Sequence, residues 1–483
     1  MKKTIISSLF LAFSLTSTCQ VETRCLESSL ESVLFEKLKT NIHTPLYVLP
    51  SFDVEKMIKE DKEMEGCDVP YRFGKGFDVN ISLSDGIWEA TQDGRTWSMS
   101  FESKDAYSIN FVFNYLHLVD EAELYIYNED QTVLYGPVRQ KDIGNEGFFL
   151  SDIIPGSKVT ICLFEPTSVL GESSLSISRI VHGYKLYDNI INNMNREVSE
   201  SCNNDISCFP EYSEEANAIG LVLLATGDEW CSGSLIMTTD CSLDPYFLTA
   251  FHCIDANRNG TLSTNEINNS EHWMFKFNYK KGSCGGSTNT ISYTYNGAAF
   301  KAAYYNTDFA LMEISHNLAQ HVYHKWLGWD RSSNVPSDGS TIHHPAGDVM
   351  KISFEHDTFQ SSSWNGTNNH WLVHFDDGVV QHGSSGAPLL NTNSRIVGQL
   401  HGNQYYNGLY SYCDQPRAEY GKFGLSWTGG GTNTTRLCNW LDPSGTGIVV
   451  MPGSYECKLA GSSVLCGTQV YYLSFLPTGA SVS

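Results

Sequence analysis

Long apolar runs are nearly absent from this chain of 483 residues. After the first twenty residues, no stretch is apolar for long enough to cross a bilayer as a helix. Basic residues are scarce as well: 31 Lys and Arg stand against 54 Asp and Glu, for a formal net charge of -23. That balance argues against nucleic acid or an anionic membrane as an electrostatic partner. Sustained helical periodicity is missing from most of the chain. No metalloprotease helix pattern accompanies His343, His344 and His382, which argues against a zinc centre there. Disorder does not fit either, because hydrophobic residues make up 41% of the chain and aromatics 12%.

Cysteine, by contrast, is plentiful at 14 residues. In an exported chain most of these should form disulfides. Export is the expectation set by the start, MKKTIISSLFLAFSLTSTCQ. Lys2 and Lys3 precede a short apolar stretch over residues 5–15, the pattern of a secretory signal. Ser17 and Thr18 make a poor lipidation box before Cys19, so residues 1–20 read as a removable signal. Without Cys19 an odd number of cysteines remains, and at least one is unpaired or intermolecular.

The length implies two or three domains. Leu26, Leu30, Val33, Leu34 and Leu38 recur at helical spacing, which predicts one amphipathic helix after the signal. Residues of about 70–188 read as a β-sandwich. Ile109, Phe111, Phe113 and Tyr115 alternate, and LYIY-NEDQ-TVLYG reads as strand, polar turn, strand. No catalytic constellation falls in this region, so residues 21–196 read as a chaperoning or inhibitory pro-region. The polar stretch DNIINNMNREVS reads as an exposed linker, with Arg196 as a processing position. Residues 197–455 return to short strands and Gly/Ser/Asn turns. One helix is expected near their end, capped by Asn433 or Thr434, faced by Leu437, Trp440 and Leu441, and stopped by Pro443. Residues 456–483 alternate like one or two strands and are too short to bury a core alone. They resemble the start of a C-terminal immunoglobulin-like domain, cut short.

Three motifs carry chemistry: YFLTAFHC, TDFALME and HGSSGAPLL, in that order. A serine hydroxyl is a poor nucleophile until a neighbouring base takes its proton. His252 is the candidate base, Asp308 the group that orients it, and Ser385 the nucleophile. Gly383 and Gly386 let the backbone turn sharply around Ser385, so that the N–H groups of Gly383 and Ser385 can face a developing oxyanion. Each motif alone is unremarkable; the three together, in one exported β-rich chain, are not.

A second pattern follows the histidine. Residues 255–266, DANRNGTLSTNE, fit the loop of a calcium-binding EF-hand. Asp255, Asn257 and Asn259 would offer oxygens, with the Thr261 carbonyl, Ser263 or its water, and a bidentate Glu266, while Gly260 makes the turn. Paired flanking helices are not evident. Only two ligands carry charge, which predicts modest affinity for a structural calcium ion. Nothing in the chemistry asks for a catalytic cofactor.

Over residues 199–447 the chain resembles the bacterial lysyl endopeptidases, a branch of the chymotrypsin-like serine proteases. The resemblance rests on SCNNDISC, CSGSL, YFLTAFHC, LGWDR, IHHP, GSSGAP, GQLHG, YGKFGLSWTGGG and WLDPSGTG. RFGKGFDVN and VHGYK resemble that family's propeptide. It implies an all-β chain with a double β-barrel of trypsin type behind the sandwich. It further implies peptide-bond hydrolysis through an acyl-enzyme, protein or peptide substrates, and a zymogen held with its own propeptide. It carries the triad onto His252, Asp308 and Ser385. It implies disulfides Cys202–Cys413, Cys208–Cys284 and Cys231–Cys253. Cys241 and Cys438 remain as a further candidate pair, and Cys457 and Cys466 could close a small loop in the tail.

The resemblance weakens at specificity. The family's lysine preference goes with a tryptophan–histidine pair, matched by Trp364 and His401, and with an acid two residues before the tyrosine of YG. That position is Ala418. Asp414 and Glu419 are the nearby acids that would have to replace it. A cut after Arg196 favours a Lys or Arg preference if the enzyme matures itself. Another preference, such as Glu, or an inactive calcium-stabilised binding protein are the alternatives.

Overall fold

The computed structural model describes residues 20–26, 44–64, 69–144, 146–185, 199–286, 291–316, 318, 324–406 and 410–454. Strands dominate it, gathered into sheets of 15, 5 and 10 strands. The N-terminal part packs two layers face to face. One layer carries Gly94–Glu102, Lys158–Pro166, Glu123–Asn128 and Val133–Val138; the other carries Ser108–His117, Ser174–Gly183 and Gly74–Ser82. Between them lies an apolar cluster that includes Phe101, Phe111, Phe113, Ile126, Ile161 and Ile177. Inward residues of each strand recur with period two, which is why the alternating sequence folds this way.

The hairpin legible in LYIYNEDQTVLYG is present, with Tyr127 opposite Leu134. Alternation understates the burial of Ser108–His117. Asn110 and Val112, on its other face, are buried too. Val112 packs with Leu221, Leu223 and Trp230 from the C-terminal part, and Asn110 Nδ2 donates to the Gly227 carbonyl at 2.9 Å.

The two parts share one sheet. Val21–Cys25 pairs on one edge with Val133–Val138 and on the other with Ile291–Asn296. Along the same sheet follow Met274–Phe277, Ile219–Leu223, Glu229–Leu235, Tyr246–Ala250, Phe309–Ile314 and Ala298–Tyr304. The outer edge of Ile291–Asn296 is thus taken by the N-terminal strand. Among the described residues the sheet runs on into the N-terminal part instead of closing, so closed trypsin-type barrels are not seen, while the all-β class holds. The third sheet carries Gly339–His343, Pro388–Asn391, Ile396–Gly402, Arg417–Lys422 and His370–His374.

Helices are few. Val54–Met64 is an unexpected helix of 11 residues with none of them buried. Its Asp61 accepts from Arg72 and from the Tyr184 hydroxyl, so polar contacts dock it. The helix expected near the end is a single turn, Cys438–Leu441. The helix expected from Leu26 through Leu38 falls, beyond Leu26, outside the described residues. So do the signal, Arg196, Cys67, Cys457, Cys466 and the tail. No helix among the described residues is long and apolar enough to cross a membrane.

Candidate active site

His252 leaves the strand Tyr246–Ala250 on a single tight turn, Phe251–Cys253. Register then selects its partner. Tyr246–Ala250 pairs antiparallel with Phe309–Ile314, Ala250 opposite Phe309, so Asp308 comes to the end of the strand where His252 departs. The Phe251 N–H donates to the Asp308 carbonyl at 2.8 Å. Asp308 takes a left-handed conformation at φ 52°, which aims its carboxylate back at the histidine. Oδ1 accepts the His252 backbone N–H at 3.0 Å and Oδ2 meets Nδ1 at 2.8 Å. A carboxylate is acceptor only, so Nδ1 carries the proton and Nε2 is the nitrogen able to accept one. Disulfide Cys231–Cys253 pins this corner to the neighbouring strand. Closing that loop contributes about 3 kcal/mol.

Ser385 stands between Gly383 at φ 94° and Gly386 at φ 85°. At Gly386 a Cβ would lie 2.3 Å from Thr249 Oγ1 and 2.5 Å from the Ser232 carbonyl. Only glycine lets the loop come this close. Ser232 holds the loop from below: its N–H donates to the Ser385 carbonyl and its Oγ to the Gly383 carbonyl, each at 2.8 Å. Ser384 Oγ meets His343 Nδ1 at 2.7 Å. Burial pushes the His343 imidazole down to about 3, so it stays neutral and buttresses the loop. His344 is pushed by burial to about 4, and its Nδ1 meets the Asp348 carbonyl at 2.9 Å. Their Nδ1 atoms thus serve the loop and the backbone.

His252 and Ser385 border one small cavity with Trp364, Leu400 and His401. Trp364 stacks on His401 at 3.7 Å between centroids. His401 Nε2 lies 3.9 Å from Asp308 Oδ2, and its Nδ1 is 3.0 Å from His370 Nε2. Asn369 fixes the direction of this chain. Its Nδ2 donates to the Asn306 and Trp364 carbonyls, so its Oδ1 must accept from Trp364 N and His370 Nδ1. His370 is therefore protonated on Nδ1 and accepts from His401. Sequence reasoning missed His370 and Asn369. The only signal was HWLVH itself, whose first residue faces the same side as His401 across the sheet.

Asp414 and Glu419 are not among the cavity's lining residues, against the expectation that they serve it. Asp414 is exposed on a short turn. Glu419 is fully buried, but strand alternation sends it to the face opposite Ala418. There it accepts from Arg417 at 2.8 Å and from Gln404 Nε2 at 3.1 Å.

In the loop of residues 255–266, Asp255 accepts the N–H groups of Asn259 and Gly260. Glu266 Oε1 accepts from Asn257 N and Nδ2, and Oε2 from Ser263 N and Oγ. Asn259 Oδ1 accepts from Thr261. Each carboxylate expected to bind calcium already has donors from within the loop. Burial opposes ionisation of Glu266, but the bonds from Ser263 and Asn257 outweigh it and lower its pKa.

The three expected disulfides are formed: Cys202–Cys413, Cys208–Cys284 and Cys231–Cys253. Cys438 carries a free thiol, so the Cys241–Cys438 pair is not made.

Residues 196–419 match the family described as lysyl endopeptidase, C-terminal domain. Among curated proteins, a lysyl endopeptidase of Pseudomonas aeruginosa is 24% identical over 304 residues, which are 60% of this chain and 63% of that protein. The chain thus spans 63% of the curated relative it matches. Among solved structures, protease Anisep from Arthrobacter nicotinovorans is 17% identical at a TM-score of 0.30, over 43% of this chain and 90% of its own. A Glu endopeptidase is 16% identical at a TM-score of 0.29, over 43% and 85%.

Proposed function

We propose, on the premise that this chain belongs through residues 196–419 to the lysyl endopeptidase family, that it is a serine endopeptidase with Ser385 as nucleophile. The observation that carries this is the His252–Asp308 pair at 2.8 Å on the rim of the cavity that Ser385 also borders. In the reaction His252 Nε2 takes the Ser385 proton as Oγ attacks the substrate carbonyl. The N–H groups of Gly383 and Ser385 receive the oxyanion. His252 then protonates the leaving amine, and water, activated by the same imidazole, hydrolyses the acyl-enzyme.

The signal-like start and the sandwich that covers Leu221, Leu223 and Trp230 support export as a zymogen, matured by a cut after Arg196. The Lys or Arg preference suggested by that cut lacks a carboxylate among the residues that line the cavity. Calcium at Asp255, Asn257, Asn259, Thr261 and Glu266 would steady the loop that begins three residues after His252.

A fluorophosphonate probe tests the central claim. It should label Ser385 in the matured protein, and Ser385→Ala should abolish both labelling and any cut after Arg196 made in cis. Peptidase activity that survives Ser385→Ala would refute it.

A further inference from the structure

Among the described residues, no carboxylate lines the cavity beside Ser385. Its apolar walls include Val380 and Leu400, and behind them lie Val373, Ala418 and Tyr420 in one buried cluster. A lysine or arginine entering here would lose its water and meet no counter-ion, a cost that apolar contact does not repay. An uncharged apolar side chain loses only its own contact with water, which favours entry.

The chain itself already approaches that cavity. Tyr71–Arg72 pairs antiparallel with the start of Glu229–Leu235, Tyr71 opposite Trp230 and Arg72 opposite Glu229. Further along the latter strand, Ser232 holds the Ser385 and Gly383 carbonyls. That strand therefore runs towards the nucleophile. Its antiparallel partner runs towards the nucleophile in the opposite chain sense, from Arg72 back through Pro70 to Val69. Val69 lines the same cavity as His252 and Ser385. The segment is clamped in place. Arg72 bonds to Asp61 at 2.6 Å, Lys185 Nζ donates to the Arg72 carbonyl at 2.7 Å, and Phe73 stacks on Trp230 at 5.0 Å.

We propose, on the serine endopeptidase reading above, that residues 69–72 lie across the cleft as the chain's own substrate mimic, and that the cavity selects an uncharged apolar side chain, as Val69 is. The bond that faces Ser385 is then Val69–Pro70. Proline has no N–H, and a ring carbon crowds the nitrogen that His252 would have to protonate. The mimic binds by strand pairing and apolar contact yet is cleaved slowly, so it blocks the cleft until the N-terminal part leaves.

The test has two arms, both begun with the full chain, with labelling and digestion read on the protein that has shed its N-terminal part. First, protein that labels with fluorophosphonate digests an unrelated protein, and mass spectrometry reads the residue before every cut. Val, Ala, Leu or Met should exceed Lys and Arg by about tenfold or more in kcat/KM. A Lys or Arg preference overturns the apolar pocket. Ala418→Asp should raise cleavage after Lys by a similar factor; where that variant does not fold, the wild-type digest decides. Second, Pro70→Ala replaces the crowded nitrogen with an ordinary amide. A new cut after Val69 and an earlier onset of activity are expected. A properly folded Pro70→Ala protein with no cut after Val69 and an unchanged onset overturns the mimic. Absence of labelling in every protein would instead remove the endopeptidase reading itself.

Discussion

Asp308 shows how one backbone angle serves chemistry. At φ 52° it returns both carboxylate oxygens to His252. Asp308→Asn would keep the shape and present a donor to Nδ1, which favours the wrong tautomer. The expected result is a loss of about ten-thousandfold in kcat with little change in folding; steady-state kinetics beside a thermal melt check it. Gly386 makes the complementary case. In Gly386→Ala the new methyl meets Thr249 and Ser232, so the melting temperature should fall, by the equivalent of about 1–3 kcal/mol, and labelling of Ser385 should be lost. His252, Asp308 and Ser385 were legible because three motifs, each unremarkable alone, stand in one order along a single chain. Ala418 was legible as a missing acid. The fate of Glu419 was not, because which face of a strand is the pocket side depends on its neighbours.

Among elements, the pairing of Tyr71–Arg72 with Glu229–Leu235 has a pH dependence. Burial first, and Asp228 next, raise the Glu229 carboxyl to about 7, while Arg72 and Arg179 pull it down and Asp61 adds to the rise. Free in solution it would titrate near the usual Glu value of about 4.3. The docked form therefore binds a proton that the undocked form releases, and docking weakens as pH rises from the lower value through about 7. The N-terminal part should detach more readily at pH 8 than at pH 5, and Glu229→Gln should flatten that dependence; limited proteolysis across pH measures both. The loop of residues 255–266 yields a second test. Calcium must displace the donors now on Asp255 and Glu266, so the proposed site predicts stabilisation only at millimolar ion. Melting temperature and activity unchanged by calcium and by EDTA would remove the ion from the account. The hairpin of residues 123–138 was readable from alternation and a polar turn. The helix Val54–Met64 was not, since it buries no residue and so leaves no apolar stripe to read.

Across the whole molecule the two parts meet around a buried charge pair. Lys276, on a strand of the C-terminal part, lies 2.7 Å from Asp152 of the N-terminal part, and both are almost wholly buried. Thr23 Oγ also donates to Asp152. Asp152→Ala would strand the lysine charge, at a cost of about 3–5 kcal/mol. The full chain should melt earlier and yield less folded protein, whereas the matured C-terminal part, with Lys276 open to water, should be unaffected. Equal melting of the variant and wild-type full chains would count against this. The sequence alone determined the all-β class and the order of the candidate reacting residues, because strand alternation and reactive motifs are written in neighbouring residues; the three disulfides were legible only through the family resemblance. Only the tertiary structure decided that the N-terminal part shares a sheet with the C-terminal one, that Val69 reaches the cavity beside Ser385, and that Glu419 is taken by Arg417 and Gln404 instead of lining it. Those facts depend on register and facing between strands far apart in the chain, and no local pattern encodes them.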